Sequence, residues 1–355
     1  MTRAAFAIPG DIDLPTGGYT YDRRVLALLP QFGVDASHVT LPGSFPTPSA
    51  ADVAETERRL AAVAPGTILL IDGLAYGAMP TDAVARVRQP IIALVHHPLC
   101  LEAGLTPQRQ QRLRELETAA LALAQRVIVT SEPTARTLRA DFAVPAERIT
   151  VAQPGTDAAP RARGSGSETL QLLAVGSVVP RKAYDVLVHA LAPLADHHRW
   201  HLTIAGPTDR SVEALAALQT AIRDTQLADR ITLIGPVSQQ RLAVLYAAAD
   251  AFLMPSLYEG YGMVLAEAMA RGLPIVCTTG GAAADTVPDA AAIKVPPGDA
   301  ALFGAAVRRL LEDRALRQRL SDASWAAGQR LPRWEETARI VAGVIKELAP
   351  KERSP

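Results

Sequence analysis

Short runs of consecutive apolar, often β-branched residues recur along the chain, separated by longer stretches in which apolar positions return every three or four residues. The first pattern suits strands covered on both faces and the second suits helices laid over them, so the alternation predicts parallel sheets wrapped by helices, an α/β architecture. In the first half the strands fall at 4–8, 67–71, 91–95, 127–130 and 149–151, with helical patterns such as 19–29, 51–63 and 108–124 between them. In the second half they fall at 170–175, 201–205, 231–234, 251–254 and 274–278, with a short edge at 293–295. Helices at 183–194, 212–225, 239–248, 263–270 and 300–311 fill the intervals.

Between the halves, Gln153-Pro154-Gly155-Thr156-Asp157 runs into a stretch, 158–167, of Pro, Gly, Ser and Arg without periodicity. Such a composition cannot build a core and reads as a connector. The expected organisation is a first Rossmann-like domain at 1–165, a second at 166–332, and a helix and tail at 333–355 that can pack back on the first domain. A length of 355 residues with 49% hydrophobic content fits two domains better than one.

Charge narrows the partners. Lys plus Arg and Asp plus Glu are equal at 36 each, so no global field attracts nucleic acid or an anionic membrane, and no nucleic-acid partner is expected. The basic start of the 108–124 pattern, Gln108-Arg109-Gln110-Gln111-Arg112-Leu113-Arg114, suits a solvated helix face, with contact to anionic lipid as the alternative. The two cysteines, Cys100 and Cys277, have neither metal nor disulfide spacing. No apolar run approaches the ~20 residues that span a bilayer. A cytoplasmic chain is expected, with attachment to the inner face of the membrane as the peripheral option.

Ligands of open α/β sheets sit just beyond the carboxyl ends of the strands, so chemistry is sought there. After 251–254 comes Pro255-Ser256-Leu257-Tyr258-Glu259-Gly260-Tyr261-Gly262-Met263-Val264-Leu265-Ala266-Glu267. Its glycines let backbone approach a ligand, the first amides of the following helix favour negative oxygens, and the two glutamates suit the hydroxyls of a sugar and a ribose. After 170–175, Gly176-Ser177-Val178-Val179-Pro180-Arg181-Lys182 puts two cations before a helix, where an anion bound to both accounts for them. After 4–8 come Asp11-Ile12-Asp13 and the pair Gly17-Gly18, and after 91–95 come His96-His97-Pro98. No metal-ligand cluster stands out, and no Gly-x-Gly-x-x-Gly opens either half, which disfavours a dinucleotide oxidoreductase.

Pro-Ser-x-x-Glu-Gly-x-Gly-x-x-x-x-Glu-Ala-Met-Ala-x-Gly-x-Pro-Ile-Val, as it stands at 255–276, closely resembles the motif of family 4 glycosyltransferases, and the resemblance runs over about 170–320. It implies a GT-B fold, two facing Rossmann-like domains with the active site in the interdomain cleft. It implies a retaining hexosyltransferase that moves a hexose from a UDP- or GDP-sugar to a hydroxyl of a saccharide or lipid-linked acceptor. Neither a metal nor a cofactor beyond the nucleotide sugar is implied. By the same resemblance Arg181 and Lys182 hold the diphosphate, and Glu259 positions the donor sugar. Gly260, Tyr261, Gly262, Met263, Val264 and Leu265 line the donor site, while Glu267 binds ribose. Val237 flanks the base, Gly17 and Gly18 approach the phosphates, and His96, or failing it His97, lies near the reacting sugar. Many relatives carry Arg where this chain has Ser177 and Gly where it has Ala183. A non-catalytic nucleotide-sugar-binding protein of the same fold is the competing reading.

Overall fold

A computed structural model describes residues 1–196 and 198–349. Strands β1 (Thr2–Pro9), β2 (Val34–Leu41), β3 (Ile68–Asp72), β4 (Ile91–Val95), β5 (Arg126–Val129) and β6 (Ile149–Val151) form a six-stranded sheet in the order β2-β1-β3-β4-β5-β6. Strands β7 (Leu170–Val175), β8 (Trp200–Ala205), β9 (Ile231–Leu233), β10 (Ala251–Met254), β11 (Ile275–Thr278) and β12 (Ala292–Val295) form a second, in the order β12-β11-β10-β7-β8-β9. All pairings in both are parallel. The chain reverses its direction of sheet growth between β1 and β3 in the first sheet and between β7 and β10 in the second. Each reversal opens a crevice at the strand carboxyl ends, where ligands of such sheets bind.

The central strands are continuous apolar runs because helices cover both faces: every residue of β3, β4, β10 and β11 is buried. The exception explains a strand that periodicity does not reveal. β2 is an edge, and its polar residues Asp35, Ser37, His38 and Thr40 are exposed between apolar ends. Its register against β1, with His38 opposite Phe6, still places it firmly in the sheet.

Two compact units result, Met1–Gly155 with Pro332–Pro355, and Thr156–Leu331. The division falls after Gly155 rather than at 165/166 because the irregular segment is bound to the second unit. The Ala162 amide bonds to Arg271 O at 2.8 Å, Arg163 and Gly164 amides bond to Ala247 O, and Ser165 Oγ donates to Asp250 Oδ2 at 2.6 Å. Backbone polar groups satisfied by neighbours make a fixed strap out of a sequence that lacks a core pattern. The helix Trp334–Glu347 packs within the first unit. Its Trp334 ring lies 6.0 Å from Tyr21, Thr337 Oγ1 donates to Gln153 O at 2.7 Å, and Val341, Val344 and Ile345 are buried. The part of the expected tail beyond 349 lies outside the described residues.

The helix Pro107–Leu123 starts on a Thr106 cap with Pro at its first position, both favourable there. Its basic residues are engaged inside the chain: Arg109 donates to Pro46 O and Thr47 Oγ1, and Arg114 stacks 5.3 Å from the Phe142 ring. Among the described residues, no helix is long and apolar enough to cross a membrane.

Candidate functional site

In the second unit the candidate side chains gather at the reversal between β7 and β10. β7 leads through Gly176 to a 3-10 turn, Pro180–Lys182, and then to the helix Tyr184–Leu191. Between them Ala183 adopts a left-handed conformation, φ 48° and ψ 43°. That backbone favours glycine, which explains the residue many relatives carry there. The two cations therefore belong to the turn, one step before the helix.

From the neighbouring strand, Glu259 meets both. Lys182 Nζ lies 2.7 Å and Arg181 Nη1 3.2 Å from Glu259 Oε1, and all three side chains are at most 17% exposed. Burial pushes the Glu259 carboxyl up, but the charges of Lys182 and Arg181 outweigh it and hold the group at about 2. Main-chain bonds tie the same two loops: Leu257 N donates to Arg181 O at 2.7 Å and Arg181 Nη1 donates to Tyr258 O at 2.8 Å. Behind Glu259 runs the segment Gly280-Gly281. Glu259 N donates to Gly280 O at 3.2 Å and Ala282 N donates to Glu259 O at 2.7 Å. Gly281 has φ 61°, and a Cβ there would lie 2.4 Å from Glu259 O, so the wrap requires glycine.

Gly262, left-handed at φ 90°, caps the helix Met263–Ala270. The first helical turn, Met263 and Val264, is half-buried, with Tyr261 and Leu265 buried beside it and Gly260 partly open. One turn on, Glu267 Oε2 accepts from Tyr246 Oη at 2.9 Å, and the Arg271 guanidinium stacks 4.5 Å from the Tyr246 ring. Burial pushes the Glu267 carboxyl up from its ordinary range, against the Tyr246 hydrogen bond and the Arg271 charge. Val237, half-exposed, follows β9 just before Ser238, which caps the helix Gln239–Ala248.

In the first unit Thr16 caps the helix Gly17–Leu28, so Gly17 and Gly18 form its opening turn. A Cβ at Gly18 would sit 3.4 Å from His96 Cδ2, so the opening turn of the helix faces the imidazole at contact distance. His96 Nε2 is 3.2 Å from Asp22 Oδ1 on that helix and 3.4 Å from Asp72 Oδ2 at the end of β3. Asp72 Oδ1 also accepts from Leu74 N at 2.7 Å. One atom from each of these three groups lies within 4.8 Å of the other two, so two carboxylates face one imidazole nitrogen. His97 turns to a different partner, Glu102, with Nε2 3.2 Å from Oε2.

The structure thus groups Arg181, Lys182, Glu259, Gly260, Tyr261, Gly262, Met263, Val264 and Leu265 in the second unit, and Gly17, Gly18 and His96 in the first. Asp22, Asp72 and Tyr246 join these groups without having been singled out in the sequence. Asp72 ends an apolar run and meets the same strand-end criterion that selects His96. Asp22 and Tyr246 lie inside helices and carry no local signal.

Two family models match adjoining parts of the chain: Glycosyltransferase Family 4 over residues 73–159 and Glycosyl transferases group 1 over 156–325. The chain belongs to the family 4, group 1 glycosyltransferases. Among its relatives, an MMP alpha-(1->4)-mannosyltransferase of Mycolicibacterium hassiacum is 27% identical over 74% of this chain and 67% of its own length. A D-inositol 3-phosphate glycosyltransferase of Streptomyces bingchenggensis is 29% identical over 75% of this chain and 63% of its own. The chain thus spans about two thirds of these curated relatives, and about half of the one from Frankia alni, at 52%. A sucrose-phosphate synthase from Thermosynechococcus elongatus shares the fold at a TM-score of 0.83 and 22% identity, covering 98% of this chain and 99% of that one. Anabaena HepE in complex with UDP-glucose does so at 0.74 and 17%, covering 97% and 99%. The two α/β units of this family 4 chain are those of the GT-B fold. The group 1 match contains the whole Arg181–Lys182–Glu259 cluster, while the family 4 match takes in His96 and begins one residue after Asp72.

Proposed function

We propose that the chain is a nucleotide-sugar-dependent hexosyltransferase that retains anomeric configuration, taking a UDP- or GDP-sugar and a hydroxyl of a saccharide or lipid-linked acceptor. The observation that carries the reading is a buried lysine and a half-buried arginine converging on one carboxylate beside a helix start at the β7–β10 reversal. Relatives named as mannosyl- and inositol-phosphate glycosyltransferases, and a HepE structure holding UDP-glucose, support it.

The three charged groups sum to one positive charge, and the first amides of the Met263–Ala270 helix add partial positive charge. A nucleoside diphosphate leaving group is the anion that suits such a place, since pre-aimed donors stabilise the charge that develops as the glycosidic bond breaks. In this reading Arg181 and Lys182 take the diphosphate oxygens, Glu259 keeps both cations aimed and meets the donor-sugar hydroxyls, and Glu267 faces the ribose. Gly17, Gly18 and His96 act on the phosphates and reacting sugar, and Val237 flanks the base. The acceptor hydroxyl adds to the face the diphosphate leaves and loses its proton to a departing phosphate oxygen. No metal or further cofactor takes part, so chelation leaves the rate unchanged.

Thermal shift against UDP-, GDP- and ADP-sugars selects the donor, because a ligand bound only by the folded state raises stability by mass action. NMR of the product then reads the linkage; an inverted anomer overturns retention. Donor binding without turnover, toward water or any acceptor, favours the non-catalytic alternative.

A further inference from the structure

His96 is held unusually for a histidine that meets a ligand: both of its charged partners reach the same ring nitrogen. Asp22 Oδ1 and Asp72 Oδ2 stand 3.2 and 3.4 Å from Nε2, whereas Nδ1 has no hydrogen-bond partner among the described residues. The ring is fixed in other directions as well. Its backbone carbonyl accepts from Thr130 Oγ1 at 3.1 Å, and the Tyr21 ring meets it edge-on, 5.3 Å between centroids at 83°. Asp22 is fully buried, and its Oδ2 has no hydrogen-bond partner. A carboxylate so placed is costly unless a nearby positive charge compensates it.

We propose that Asp22 is the positioning residue for His96: it pins Nε2 and, with Asp72, keeps the imidazole doubly protonated, so that Nδ1–H is offered as a charged donor to a ligand oxygen. The chemical consequence is a choice of sign. With Nε2–H committed to the carboxylates, a neutral ring presents Nδ1 as an acceptor, and a charged ring presents it as a donor. Only the charged ring hydrogen-bonds an oxygen that has no proton to give, such as a phosphate or carbonyl oxygen. It also strengthens any bond to a sugar hydroxyl acting as acceptor.

The surroundings agree. The titratable groups facing the ring are Asp22 and Tyr21 from the Gly17–Leu28 helix and Asp72 from β3. Along its own loop stand His97 with Glu102, and behind Leu99 stands Glu117 of the Pro107–Leu123 helix. Burial alone pushes His96 down, but the hydrogen bond and charge of Asp22, followed by those of Asp72, push it up to about 10. Asp22 itself is pushed up to about 7, by burial and then by the Asp72 charge, so its own proton is in play near neutrality.

The identity of the ligand as a sugar nucleotide rests on the function proposed above, whereas the charge state of His96 does not. The test therefore begins on ligand-free full-length protein, with 15N- and 13C-labelled histidine followed by NMR from pH 5 to 10 and His96 assigned through His96→Gln. Wild-type His96 is expected to remain imidazolium beyond pH 8. Asp22→Asn is expected to lower its midpoint by about 1–3 units, and Asp22→Glu to recover part of that loss. In transfer assays the alkaline limb of kcat moves down by the same interval in Asp22→Asn, a change that a purely structural role does not produce. A wild-type midpoint near 6.5, or one unmoved by Asp22→Asn, overturns the proposal. If Asp22→Asn fails to fold, the wild-type titration decides, with Asp72→Asn as second variant. A charged His96 in a protein that turns over no sugar nucleotide leaves this inference standing and removes the transferase reading. A neutral His96 with transfer intact does the reverse.

Discussion

The reversal points of the two sheets carry clusters of three charged groups with opposite balance. In the second unit two cations, Arg181 and Lys182, share one carboxylate. In the first unit two carboxylates, Asp22 and Asp72, share one imidazole. The same architectural position therefore joins two cations to one carboxylate in one unit and two carboxylates to one imidazole in the other. The topology supplies a crevice, and the side chains decide what it attracts. Glu259 and Asp22 show this in their titration. Both are buried, yet Glu259 is held at about 2 by two cations and Asp22 rises to about 7 beside a second carboxylate.

The strongest way to break the contrast is to remove its centre in the second unit. Glu259→Gln leaves buried Lys182 and half-buried Arg181 facing each other without their carboxylate, and unfolding monitored by denaturant is expected to show a loss of about 3–5 kcal/mol. Acid reproduces part of this in the wild type. The Glu259 contribution is complete above pH 4.5 and is lost as pH falls toward 2, because the folded carboxyl titrates below the unfolded one. Next comes one of the two cations. Lys182→Ala leaves one cation against one carboxylate, and kcat for transfer is expected to fall by about 10²–10³-fold, as for loss of a single pre-aimed donor. A fall below tenfold means that Lys182 does not serve the reaction.

A lone carboxylate supplies the control. Glu117 is buried on the Pro107–Leu123 helix, accepts from Leu99 N at 2.9 Å, and is pushed up to about 8 by burial. Its folded form holds a proton that the unfolded form releases, so wild-type stability falls as pH rises from 4.5 through 8. Glu117→Gln is expected to flatten that slope in thermal unfolding across this window; an unchanged slope assigns the dependence to another group. The smallest effect concerns backbone. Ala183→Gly relieves the left-handed strain before the Tyr184–Leu191 helix and is expected to raise stability by about 1 kcal/mol, read as an increase in Tm.

Much of this fold is legible because strands buried on both faces must be largely apolar, as β3, β4, β10 and β11 are up to the Asp72 and Thr278 that end β3 and β11. β2 escapes because an edge strand has no such obligation, and the 158–167 stretch misleads because its order comes from Ala247, Asp250 and Arg271, far away in sequence. The site divides in the same way. Arg181, Lys182, Glu259 and His96 follow strands directly, where position alone marks them. Asp22 and Tyr246 acquire their partners only when helices pack, so no spacing along the chain announces them. Ala183 is intermediate: its departure from the family glycine is visible in sequence, but the reason, a positive φ, is not.

The path of the chain has a consequence for synthesis. Because Trp334–Glu347 supplies buried wall to a unit that begins at Met1, while Thr156–Leu331 lies between, the unit translated first is the one completed last. Domains fold as they emerge from the ribosome. The second unit has all of its residues in hand before the first does, and until then Tyr21 lacks the Trp334 ring beside it. A chain ending between Leu331 and Trp334 would hold every residue of the second unit and still lack part of the first, a nascent species for chaperones to hold.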